Sequence, residues 1–86
     1  MCLVYIIYSS ALDRYYIGTT NKIEERLKKH NSNHNRYTGK ASDWLLMYSE
    51  SFESKSECLK REKQLKSWKN RGRIEQLISK KSEGLN

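Results

Sequence analysis

The sequence predicts a small α/β (α+β) domain, a three-stranded, mainly antiparallel sheet flanked by helices in the order β-β-α-β-α-α. Three observations predict it. Two β-branched and aromatic runs near the N-terminus are separated by a short polar break; two capping-box patterns open helical segments; and a third aromatic and aliphatic run lies between those segments. Eighty-six residues support one modest core, because a chain of this size buries roughly 60 to 70% of its unfolded surface. One domain over residues 1–80 and a polar tail over 81–86 are expected.

Leu3-Val4-Tyr5-Ile6-Ile7-Tyr8 is apolar at both parities, and Tyr15-Tyr16-Ile17-Gly18 repeats that character, so the pair reads as a hairpin buried on both faces. Asn21 with Glu24 makes a capping box for a helix over about Lys22–Asn31, whose inward face carries Ile23 and Leu27. Ser32 to Asp43 has no apolar periodicity and reads as a surface loop. Trp44–Tyr48, extending toward Phe52, forms the third strand. Ser54 with Glu57 caps a helix through about Trp68, with Cys58, Leu65 and part of Leu59 facing inward. Asn70-Arg71-Gly72 breaks it, and Ile74, Leu77 and Ile78 mark a short final helix.

Charge narrows the class of partner. Seventeen basic against ten acidic residues leave +7, of which +6 falls within residues 55–86. A basic third of this kind attracts polyanions and releases their counterions, which makes nucleic acid the leading partner and a merely solvated face the alternative. The N-terminal apolar run lacks a basic leader and is too short to span a bilayer, so no membrane partner and a cytoplasmic location are expected. Cys2 and Cys58 form no CxxC pair and read as reduced thiols.

Three polar residues occupy semi-buried helical positions. Arg26 and His30 share the stripe of Ile23 and Leu27, and Glu62 lies between Cys58 and Leu65. A carboxylate there needs a cation. The residues alone leave two readings open: an Arg26–Glu62 ion pair between helices with His30 hydrogen-bonded, or Glu62 on a metal and Arg26 on a phosphate. Most of Tyr5, Tyr8, Tyr15 and Tyr16 must simply pack.

Taken in order, Val4-Tyr5-Ile6, Tyr16-Ile17-Gly18, Arg26-Leu27-Lys28-Lys29-His30 and Leu59-Lys60-Arg61-Glu62 resemble the motif set of the GIY-YIG nuclease superfamily, especially its small stand-alone bacterial members. The N-terminal nuclease domain of the bacterial nucleotide-excision-repair incision subunit is a more distant likeness. The resemblance covers nearly the whole chain. It departs from the family pattern where the first motif lacks its glycine and where the late asparagine has no secure counterpart, Asn70 lying earlier than expected.

The resemblance implies a DNA endonuclease in which Glu62 holds one divalent ion, Mg²⁺ with Mn²⁺ as a substitute. Arg26 would contact the scissile phosphate, and Tyr5, Tyr16 and His30 would surround the attacking water, one of them as general base. DNA contacts beyond the site are expected on charge from Arg36, Tyr37 and Lys40 in the loop and from Lys60, Arg61, Lys63, Lys66, Lys69, Asn70, Arg71 and Arg73. His34 is a spare loop candidate. Without a base-reading helix, selectivity for DNA shape, ends or branches is expected. The competing readings are a DNA-binding module that cuts poorly alone, acting as a homodimer or through a recruiting protein partner, and a purely structural domain.

Overall fold

A computed structural model describes residues 1–32 and 41–84, the last four of these by backbone alone. Three strands, β1 (Cys2–Ser9), β2 (Arg14–Thr20) and β3 (Leu45–Phe52), and three helices, α1 (Ile23–His30), α2 (Lys55–Ser67) and α3 (Arg71–Gly84), follow the expected order. The sheet is antiparallel throughout, in spatial order β2-β1-β3. The run of apolar residues at both parities in β1 is explained by its central place, since both of its faces are covered. Val4 and Ile6 join Tyr48, Cys58, Leu65 and Ile74 in one core, while Tyr5 and Ile7 join Trp44 in a second, against Tyr16, Ile23 and Leu27. A bulge between Ile6 and Ile7 sets Tyr48 opposite Ile6 and Leu46 opposite Ile7.

Polar fastenings fix the connections. In the β1–β2 turn Asp13 adopts φ 53°, a left-handed conformation that aspartate tolerates better than most residues. Asp43 accepts from Ser9 Oγ at 2.6 Å, Ser10 Oγ at 2.9 Å and the Ala11 amide at 2.9 Å, which hold its carboxyl down at about 2. Asn31 exchanges two hydrogen bonds with the backbone of Trp44, at 2.7 and 3.2 Å, and so ties the end of α1 to the start of β3. Among the described residues no helix is long and apolar enough to cross a membrane.

Several details differ from the expectation. Asn21 does not cap α1: Lys22 occupies the cap position without a side-chain bond, because Thr20 Oγ1 takes the Lys22 amide at 3.1 Å as the chain leaves β2. Asn70 begins a helix, its side-chain oxygen accepting from the Arg73 amide at 3.3 Å, so α3 starts at Arg71 and continues to Gly84. Leu59 is exposed, since Cys58 and Leu65 fill the inward stripe of α2. Ser54 caps α2 as expected, accepting from the Glu57 amide at 3.4 Å.

The cysteines are the largest correction. Cys2 and Cys58 are joined in a disulfide with Cα atoms 6.0 Å apart. Packing of α2 over β1 brings together residues 56 positions apart, a proximity that spacing could not reveal.

Candidate active site

Tyr5, Tyr16, Arg26, His30 and Glu62 each ride on a strand or helix that aims them. Tyr5 alternates with Val4 and Ile6 on β1 and so points to the second core, at 0% exposure. Gly18 lies opposite it on β2. A Cβ built on Gly18 would stand 2.6 Å from the Tyr5 hydroxyl oxygen, so the glycine of Tyr16-Ile17-Gly18 supplies the space that hydroxyl fills. Arg26 and His30, four residues apart on one face of α1, both reach the same phenol. His30 Nε2 is 2.7 Å from Tyr5 Oη, and Arg26 Nε donates to that oxygen at 3.4 Å.

Tyr16 closes the cluster from β2, its ring 4.7 Å from that of His30 and 6.4 Å from that of Tyr5. Glu62 approaches from α2, near enough for its carboxylate to disfavour a Tyr5 phenolate, and pairs with Lys66 at 3.0 Å. Lys66 in turn lies 6.0 Å from the Tyr16 ring centre. Arg26 is therefore held by phenols, and Glu62 is paired through Lys66; the Arg26–Glu62 ion pair left open by the sequence does not form.

Burial separates the five residues into two groups. Tyr5 and His30 are sealed, at 0% and 1% exposure, whereas Tyr16, Arg26 and Glu62 remain partly open. Burial, and secondly the nearby Arg26 charge, lower the His30 pKa, so the imidazole is neutral in neutral solution and, in the tautomer protonated at Nδ1, accepts a hydrogen bond from the phenol at Nε2. Burial is the largest cause of a raised Tyr5 pKa, with Tyr16 and Glu62 adding to it and Arg26 opposing it, which keeps that hydroxyl protonated. The Tyr5 hydrogen bond is the first cause of the raised Arg26 pKa, and Tyr16 adds to it.

Among the described residues no three His, Cys, Asp or Glu side chains come together as a metal cluster. A cation at Glu62 would have one carboxylate, with its side chain 20% exposed. That donor set fits Mg²⁺, a hard ion that commonly keeps several waters beside one or two carboxylates, with the Lys66 ammonium giving way.

Of the remaining basic candidates, Lys69 and Arg71 lie with Lys66 along one groove, and the others are dispersed. Arg61 forks onto Glu50 at 3.0 to 3.2 Å, and Glu50 also accepts from Tyr48, whose burial and neighbouring carboxylate push its pKa to about 12. Arg71 bridges to Asp13 at 2.6 Å and lies over Tyr8 and Tyr15; the bridge, and secondly a hydrogen bond donated by the Tyr8 hydroxyl, hold the Asp13 carboxyl at about 2. Arg73 lies over Trp68 at 4.3 Å, and Asn70 is occupied in capping α3. Lys60, Lys63 and Lys69 are exposed. Arg36, Tyr37, Lys40 and His34 lie outside the described residues. Gly18 and Lys66 were not singled out for this site from sequence; the tyrosine-flanked glycine was the available signal for the first, while the second depends on the fold.

Comparison with known proteins places this geometry. Residues 1–77 match the family model described as the GIY-YIG catalytic domain. The chain is 38% identical over 64 residues to a UPF0213 protein of Halobacterium salinarum, covering 73% of this chain and 82% of that protein. It is also 38% identical over 65 residues to a UPF0213 protein of Staphylococcus saprophyticus, covering 74% of this chain and 78% of the relative. No solved structure matches. With five motif residues converging on one phenol-lined site and the family model spanning nearly the whole chain, the protein belongs to the GIY-YIG catalytic domain family.

Proposed function

We propose that the protein is a divalent-metal-dependent DNA endonuclease that hydrolyses phosphodiester bonds with selectivity for DNA structure or with weak sequence selectivity. Family membership implies nuclease-type activity. The observation that carries the finer reading is the convergence of Tyr5, Tyr16, Arg26, His30 and Glu62 from four elements.

Hydrolysis requires a water deprotonated as its oxygen bonds phosphorus, charge stabilisation on the phosphate, and release of the 3′ oxygen with a proton. Arg26, partly exposed and held by Tyr5, donates to non-bridging phosphate oxygens. Tyr16, the open phenol of the set, meets the water and takes its proton. The base needs positive charge beside it, and Arg26, which interacts with both phenols, supplies it. Tyr5 and His30 are positioning residues that fix Arg26 and Tyr16 from behind. Glu62 would hold Mg²⁺ or Mn²⁺, which when bound stabilises the leaving oxygen.

The test is cleavage of labelled duplex, single-stranded, flapped and branched DNAs with Mg²⁺ and with chelator. Cutting that needs the metal and differs among the DNAs supports this reading. Tight binding without cutting in any condition would replace it with a DNA-binding module.

A further inference from the structure

A groove of about 530 Å³ opens between edge strand β2 and the α2–α3 junction, and Tyr16 and Lys66 belong both to it and to the candidate site. Its floor is apolar, formed by the partly exposed Tyr15, Tyr16 and Ile17 over the buried Leu65 and Ile74. Its rim is basic, formed by Arg14, Lys66, Lys69 and Arg71, and the one lining carboxylate, Asp13, is held by Arg71 at 2.6 Å. Arg14 and Lys69 are exposed, and neither makes an ion pair among the described residues. Lys69 reaches this rim from a left-handed backbone, φ 48°, that lysine rarely adopts.

A basic rim over an apolar floor suits an anionic chain that also offers flat apolar faces. A single nucleic-acid strand does so, with phosphates on the rim and unstacked bases over the floor. A duplex does not, since its base faces are hidden in the stack. The wall from Arg14 to Ile17 spans about 10 Å at ~3.3 Å per residue, room for one or two nucleotides. Continuity through Tyr16 and Lys66 leads such a strand toward Arg26 and Glu62.

We propose that this groove binds the unpaired strand of a DNA substrate beside the scissile bond, so that the protein works where single-stranded DNA meets duplex. The proposal rests on the nuclease reading for its biochemical meaning, but binding tests it separately. Fluorescence anisotropy in chelator would compare the full chain with the double variant Arg14→Gln/Lys69→Gln on oligothymidylate, oligouridylate and a blunt duplex of equal length. The variant should bind oligothymidylate at least about tenfold more weakly at moderate salt, with a salt slope reduced by about 1.4 and duplex binding nearly unchanged. An equal loss on duplex, or no loss on the single strand, would overturn the groove assignment; tighter binding of oligouridylate would overturn DNA as its ligand. Cleavage measured in parallel separates the two readings. Metal-dependent cutting indifferent to unpaired strands removes the groove and leaves the nuclease, whereas groove-dependent strand binding without cutting upholds the groove and removes the nuclease.

Discussion

The Tyr5 hydroxyl oxygen lies 2.7 Å from His30 Nε2, joining the central strand to the last residue of the first helix through two side chains that solvent does not reach. Removing the hydroxyl leaves a buried imidazole nitrogen without this partner. Tyr5→Phe should therefore lower unfolding free energy by about 1–3 kcal/mol. A double-mutant cycle with His30→Ala in urea should show coupling between the two residues, and simple additivity would count against it.

Gly18 bounds the same hydroxyl from the opposite strand. In Gly18→Ala the added Cβ, 2.6 Å from Tyr5 Oη in the present geometry, forces the phenol to move. Cleavage should fall by about 10²-fold, the cost of shifting by about 1 Å a group that positions Arg26, with the circular dichroism spectrum retained. Full activity in this variant would show that the Tyr5 position is immaterial.

Burial divides the two site tyrosines, Tyr5 being sealed and Tyr16 partly open. Tyr16→Phe should reduce the single-turnover rate by about 10²- to 10⁴-fold at unchanged DNA affinity, the range for loss of a general base. Tyr5→Phe should cost less in rate but more in stability. The reverse ranking would move the base to Tyr5.

Much of this site was legible in the sequence. The arginine and histidine on an apolar stripe, and a glutamate where α2 should bury a hydrophobe, marked residues needing a reason. What periodicity could not decide was partnership. Glu62 meets Lys66 one turn along its own helix, while Arg26 turns to a phenol contributed by β1, and such choices depend on how helices sit over the sheet. The same packing hid the Cys2–Cys58 link. Helix ends were read correctly where a serine side chain did the capping, as at Ser54, and missed at Lys22, where a preceding threonine set the chain path.

His30 gives stability a pH dependence of definite sign. Its folded pKa is depressed by burial below the ordinary 6.5, so the unfolded chain takes up the proton first. Its contribution is complete above pH 6.5 and is lost as pH falls from there toward the folded value. Urea midpoints of the wild type should decline across that window, and His30→Gln should flatten the decline. An identical slope in the variant would remove His30 as its source.

The disulfide constrains the unfolded chain across most of its length. Reduction, or Cys58→Ser, should cost about 2–4 kcal/mol and lower Tm by at least about 10 °C. Thermal scans with and without reductant read this directly; coincident curves would show that the link adds nothing.

The central claim is that Glu62 holds the metal ion on which DNA cleavage depends. Its most direct test is single-turnover cleavage by the wild type and Glu62→Gln across a Mg²⁺ titration, with DNA affinity measured on the same preparations in chelator. The account predicts saturable, metal-dependent cutting that falls at least about a hundredfold in the variant at unchanged affinity; cutting without metal, or a variant as fast as the wild type, would contradict it.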